Sequence, residues 1–339
     1  MTYFDTLIIY LYSYFPAIML GLFFWWFDRF ERKSFMLVFI AFFWGAFGAG
    51  LLSYFWNTIF YLVLEIYQKD ASTTNDMLVS VMIAPFVEEL TKGLIIVFLF
   101  FFKKINNITD GILLGVIIGL GFAAAENVHY ALVVTYPSSG ELAMWHNLWF
   151  REIHTTLLHA SGTAVWGAII GFARNLNRAQ QYFALVIGFI LAMVTHGFWN
   201  FLASYVNNID AGFNIIEIIM RLELCVIFGM LLVLFVSSLF YQSQTIITEL
   251  TEECEQNNLP WEHLGFFASL VRKPKKYTLP RTIKPAAYAK LGVRLAFKKR
   301  DYRFHPSAEL KLEILNLQKQ LHEIVQPQGS IANHNQYAV

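Results

Sequence analysis

Runs of apolar residues recur along this chain, and each is long enough to cross a bilayer as a helix of ~20 residues. Segments read as spanning are 7–27, 35–56, 77–102, 111–134, 154–172, 182–205 and 215–241. Backbone N–H and C=O groups find no partner in hydrocarbon, so each run must bond within itself as a helix. Composition agrees: 57% of the residues are hydrophobic and 14% are charged, against roughly a quarter charged in an ordinary soluble domain. The fold expected is all-α, a polytopic membrane helix bundle of about seven transmembrane helices. The first run is too long for a signal-peptide core and no small-residue cleavage site follows it, so it reads as a retained helix. Met77–Phe102 and Ile215–Tyr241 are the least regular runs, because they carry charges.

Short loops set the orientation. Arg29, Arg32 and Lys33 follow the first run, Lys103 and Lys104 the third, and Arg174 and Arg178 the fifth. The alternate loops hold only Lys69 and Arg151. By the excess of basic residues on the cytoplasmic side, the N-terminus lies outside and the tail inside the cell membrane. The chain divides into a transmembrane domain, 1–241, and a polar cytoplasmic tail, 242–339. The tail has a basic patch at Arg272–Lys276 that suits anionic headgroups. Leu310, Ile314, Leu317, Leu321 and Ile324 recur in it at helical spacing. Cys225 and Cys254 imply no disulfide framework, and a net charge of +1 gives no sign of a nucleic-acid partner.

Ionisable residues inside the spans are costly, and they cluster here. The third run holds Pro85, Glu88, Glu89 and Lys92; the fourth Glu126, Asn127 and His129; the fifth His154 and His159; the sixth His196 and Asn200. Glu88 and Lys92 share a helix face, with Glu89 rotated about 100° away. Pro85 frees the Val81 carbonyl and predicts a kink. Gly111, Gly115 and Gly119 form a close-packing stripe that aims Glu126 into the bundle. Gly188, Ala192, His196 and Asn200 share another stripe, and Thr155, His159 and Thr163 a third. Counted at ~1.5 Å per residue, Glu126, His159 and His196 fall in the outer half of the bilayer, with Glu88 at similar depth. His129 and His154 lie off these stripes and read as structural. The loop from Val134 to His154 carries Trp145, Trp149 and Phe150, which suit the interface and a lid over the site.

A carboxylate beside His and Asn suits water activation, the carboxylate taking a proton and His and Asn holding the oxyanion. Two histidines and a carboxylate also suit zinc, through His159, His196 and either Glu126 or Glu88. No cofactor is favoured between these. Asn200 on the face of His196 points to the metal-free version, because Asn is a poor zinc ligand. A non-catalytic scaffold and a proton-coupled transporter using Glu88, Glu126 and the histidines are the alternatives.

Pro85-Phe-Val-Glu88-Glu89-Leu-Thr-Lys92 resembles the Glu-Glu-x-x-Lys motif of the PrsW family of intramembrane proteases. Asp110-Gly-Ile-Leu-Leu-Gly115, Gly121-Phe-Ala-Ala-Ala-Glu126-Asn127, His159-Ala-Ser-Gly162 and His196-Gly-Phe-Trp-Asn200 resemble further motifs of that family, in order. Phe27-Asp-Arg-Phe-Glu-Arg32 is similar to its first cytoplasmic loop but lacks the Glu-Pro often found there. That family is in turn similar to the type II CAAX prenyl endopeptidases. The resemblance implies Glu88 as base with Glu89 second, His159 orienting water, and His196 with Asn200 polarising the scissile carbonyl. Lys92, Glu126 and Asn127 would support them. It also implies a single-span membrane protein as substrate, of the anti-sigma-factor kind, cut near the outer side.

Overall fold

The computed structural model describes residues 2–67, 77–206, 215–270, 279 and 283–325. They are helical, with no strand among the described residues. Helix α1 is Tyr3–Phe27 and α2 is Phe35–Phe43; a π-helical turn, Trp44–Ala49, leads into α3, Gly50–Tyr67. A second π-helical turn, Val79–Ile83, precedes α4, Ala84–Phe101. Then come α5, Ile108–His129, a third π-helical turn, Tyr130–Thr135, α6, Tyr136–Ala173, α7, Arg178–Val206, and α8, Ile215–Glu255. Three shorter helices follow: α9, Trp261–Ala268, α10, Pro285–Phe304, and α11, Ala308–Val325.

Among the described residues, five helical stretches are long and apolar enough to cross a membrane: Tyr3–Phe27, Phe35–Ile66, Ile108–Ala173, Arg178–Ser204 and Ile218–Glu255. The expected fourth and fifth spans both lie in the third of these, which reverses at Gly140, φ +80°. Helix α4 occupies the expected third span, but Glu88, Glu89 and Lys92 keep it from qualifying on composition alone.

The chain forms two compact units, 1–27 with 33–235, and 28–32 with 236–339. In the first, α5 is the central helix. All of its residues from Thr109 to Ala124 are buried. Its small residues allow this: a Cβ at Gly119 would run into the His159 carbonyl of α6, and one at Gly111 into the Gly167 carbonyl. Without side chains between them the backbones touch, so α5 fixes the height of His159 directly.

The stretch read as a loop from Val134 to His154 is helical. Gly140 supplies the tight reversal, a conformation that glycine adopts without a Cβ clash. Beyond it Met144 and Leu148 are fully buried with Ile9, Val128 and Ala131. That apolar seat makes the expected lid the beginning of the helix that carries His154 and His159. Trp149 is exposed, whereas Phe150 packs beside the cluster of Leu158, Trp199, Leu202, Met220 and Leu224.

In the second unit, α10 and α11 pack with Ile314, Leu317 and Leu321 of the expected stripe buried. Buried Lys299 lies 2.7 Å from both Glu252 and Glu253. The basic patch Arg272–Lys276 and Lys69 lie outside the described residues.

Candidate active site

The site begins with a defect in helical bonding. Pro85 has no amide to donate and the turn before it is π-helical, so carbonyls of that turn need other partners. Asn200 on α7 donates its amide to the Ser80 carbonyl at 2.8 Å. One turn earlier on α7, Gly197 lies against the Val81 carbonyl, which a Cβ there would approach to 2.6 Å. Glycine at 197 and asparagine at 200 thus dock α7 onto the broken turn, and His196 comes with them.

Glu88, Glu89, Lys92, His159 and His196 are all buried. Glu89 Oε1 accepts hydrogen bonds from Lys92 Nζ at 2.7 Å and from His196 Nδ1 at 2.9 Å. With Nδ1 bonded to Glu89, Nε2 is the ring nitrogen left facing Glu88. That nitrogen lies 3.8 Å from Glu88 Oε2. The Oε2 atom is itself buried and has no hydrogen-bond partner among the described residues.

His159 is held from both sides. Its Nδ1 accepts from Lys92 Nζ at 2.9 Å, and its Nε2 donates to Glu126 Oε2 at 2.7 Å. The same carboxylate oxygen lies 2.7 Å from Arg151 Nη2. The rings of His159 and His196 are 4.9 Å apart, and Lys92 Nζ sits 4.0 Å over the Phe122 ring. One continuous chain of bonds therefore runs through Glu89, Lys92, His159, Glu126 and Arg151.

Asn127 belongs to an adjoining junction. It donates to Glu152 at 3.0 Å and to Thr156 at 3.2 Å, and accepts from Arg151 and Thr155 at 3.2 Å each. His129 meets Tyr54 edge to face, with ring centres 5.0 Å apart. His154 bonds the Phe150 carbonyl at 2.9 Å and stacks on that ring. Neither histidine joins the cluster.

A cavity of about 710 Å³ opens beside these groups, lined by Glu88, Glu126, His159, His196 and Asn200 together with Tyr130 and Arg151. Arg151 went unread as a site residue in the sequence. Its signal was there: it lies four residues before Thr155 and eight before His159, on the same helical face. Starting the fifth span at His154 cut the stripe one turn short.

One ligand atom each from Glu88, His159 and His196 lie within 4.8 Å of one another. A carboxylate with two imidazoles is a donor set for a zinc-type cation. Glu88 Oε2 and His196 Nε2 fit as they stand, whereas His159 would first have to give up a bond to Lys92 or Glu126. Glu89 behind His196 is the kind of carboxylate that orients a metal-binding imidazole.

The apolar helices and the buried carboxylate–histidine centre define a multi-pass membrane protein with a polar site inside its bundle. The chain belongs to the family described as PrsW family intramembrane metalloprotease, whose sequence profile matches residues 33–241. It is similar to a protein named Protease PrsW from Shouchella clausii (strain KSM-K16), at 32% identity over 120 residues. That match covers 35% of this chain, and the chain spans about half, 51%, of the relative. No solved structure matches the chain.

Proposed function

We propose that the chain is an intramembrane peptidase that hydrolyses a peptide bond of a membrane-anchored protein. The observation that carries this reading is the buried Glu88 carboxylate, whose Oε2 has no hydrogen bond among the described residues and lies 3.8 Å from His196 Nε2 and 4.0 Å from Lys92 Nζ, with Glu88 and His196 both lining the cavity. A carboxylate in that position takes a proton from water as the water attacks the scissile carbonyl. The same carboxylate returns the proton to the leaving amine. His196, its tautomer set by Glu89, accepts a hydrogen bond from the attacking water and directs it. Burial excludes bulk water, which strengthens each of these interactions.

The family description names a metalloprotease, and the donor cluster supports a second, metal-assisted form of the same hydrolysis. Glu88, His159 and His196 would hold the ion. A bound divalent cation would supply acidified water and a polarised carbonyl. In that form Glu89 keeps its place behind His196, and Lys92 neutralises Glu89. Measuring metal in the purified, active protein separates the two forms. Less than a tenth of an equivalent, with activity resistant to chelators, supports the carboxylate form. One equivalent, lost together with activity and restored by zinc, supports the other.

We place the N-terminus outside the cell membrane and the tail in the cytoplasm, with about seven spans, on the distribution of basic loop residues. The substrate class in this reading is a single-span protein of the anti-sigma-factor kind, entered from the lipid. Residues 1–241 serve as the catalytic domain, with the tail as a separate cytoplasmic unit.

A further inference from the structure

Amide hydrolysis places negative charge on the former carbonyl oxygen, and a buried site needs a donor for it. The donors first expected from the sequence are already engaged. The amide of Asn200 donates to the Ser80 carbonyl at 2.8 Å. His196 donates through Nδ1 to Glu89, and His159 through Nε2 to Glu126. Lys92 is fully buried among Glu89, His159 and Phe122, and does not line the cavity.

Arg151 is the one arginine or lysine on the cavity wall among the described residues. Its guanidinium is fixed on three sides. Nη2 lies 2.7 Å from Glu126 Oε2, Nε donates to Asn127 Oδ1 at 3.2 Å, and the group sits 3.7 Å over the Tyr130 ring. Guanidinium has five N–H donors in a rigid fork. Two are engaged by these bonds, and the side chain keeps 11% of its surface exposed. A donor held in place before the reaction needs no reorganisation as charge develops.

We propose that Arg151 is a catalytic residue that receives the oxygen of the scissile carbonyl. This rests on the peptidase reading above. In the step, water oxygen bonds to the carbonyl carbon, the π pair moves onto the carbonyl oxygen, and the water proton goes to Glu88. The oxyanion is held by N–H groups of Arg151, which transfers no proton. Collapse reforms the carbonyl, breaks the C–N bond and returns the proton from Glu88 to the amine. Glu126 and Tyr130 aim the guanidinium, and Glu126 also keeps its bond to His159.

The test uses the full chain in liposomes with a single-span substrate that the wild type cleaves, comparing wild type, Arg151→Met, Arg151→Ala and the double variant Arg151→Met/Glu126→Gln. Loss of an oxyanion donor lowers kcat by about 100-fold or more, with KM changed less than ~3-fold because the contact forms in the transition state. Ethylguanidinium in the buffer restores part of the kcat of Arg151→Ala. The double variant stays as impaired as Arg151→Met. Recovery of activity in the double variant would show that Arg151 merely neutralises Glu126, and would overturn the proposal. So would a kcat of Arg151→Met within about three-fold of wild type. A wild type that cleaves no membrane-anchored substrate sinks the peptidase reading itself, and this inference with it.

Discussion

Glu89 Oε1 holds His196 Nδ1 at 2.9 Å, across 107 residues of sequence, and the same oxygen holds Lys92 at 2.7 Å. The second carboxylate of the motif therefore orients a histidine and neutralises a lysine, and Glu88 is the carboxylate of the pair that lines the cavity. Orienting carboxylates of this kind are worth about 10–100-fold in activity. Glu89→Gln is expected to lower kcat by about that factor and leave the protein folded. Glu89→Ala removes the nearer counter-charge of buried Lys92, leaving only Glu88 at 4.0 Å, and is expected to cost up to about 3–5 kcal/mol, read by denaturation in detergent. A folded Glu89→Gln protein as inactive as Glu88→Gln would reassign the base.

The docking of α7 on the broken turn gives a packing prediction. Gly197→Ala would press a methyl to 2.6 Å from the Val81 carbonyl, so α7 must shift. The expected cost is about 1–3 kcal/mol, the usual size for overpacking, with a loss of activity because His196 moves too. Gly229 on α8 is the control, since nothing lies within 4 Å of a Cβ there. Gly229→Ala is expected to be neutral or to stabilise by up to ~1 kcal/mol through helix propensity. Melting temperatures of the two variants in one detergent compare them directly.

The second compact unit has its own polar core, where Lys299 meets Glu253 at 2.7 Å and Gln318 reaches the same carboxylate at 2.8 Å. Lys299→Met leaves the Glu253 carboxylate buried without its cation, an error of about 3–5 kcal/mol, and Lys299→Met/Glu253→Gln should recover much of it. Burial alone would lower the Lys299 pKa, but its bonds to Glu252 and Glu253 outweigh that and raise it. Its contribution is therefore complete below the ordinary lysine value and is lost as pH rises through the higher folded one. Limited proteolysis of the tail at neutral and strongly alkaline pH checks the sign: protection in the first, cutting in the second.

The position of the cut follows from depth. On the orientation and span lengths proposed above, Glu88 and His196 lie in the outer half of the bilayer. Substrate helices open most readily near an end, where backbone bonds run out. Product termini read by mass spectrometry should fall within about two helical turns of the substrate's outer membrane boundary. Cleavage at the cytoplasmic end would mean that the orientation or the depth argument is wrong.

Much of this site was legible in the sequence because intramembrane charge is rare and helical spacing is simple. Glu88, Glu89, Lys92, Glu126, His159 and His196 were singled out by cost and register, and the structure brings them together. The Gly111–Gly119 stripe was legible too, because small residues at four-residue spacing can serve only close packing. The pairing of Asn200 with Ser80 was not legible, since it depends on a π-helical turn that no propensity marks. The helix upstream of His154 was missed because Trp145, Trp149 and Phe150 read as residues of an interfacial loop. The buried Met144 and Leu148 that hold it in place gain their meaning from α1 and α5, which local sequence cannot show. The reversal at Gly140 was hidden for a related reason: a single glycine among polar residues marks a turn without saying that helices abut it.

The central claim is that Glu88 activates water for peptide hydrolysis inside the bundle. Glu88→Gln keeps the shape and most of the hydrogen bonding but removes the proton acceptor. The direct measurement is cleavage of a single-span substrate in liposomes by purified wild-type and Glu88→Gln proteins, with equal insertion and equal melting temperature established first. The account predicts product with the wild type and a rate at least ~1,000-fold lower with Glu88→Gln, within the range for loss of a general base. Cleavage by a folded, sequence-verified Glu88→Gln protein at near the wild-type rate would contradict it.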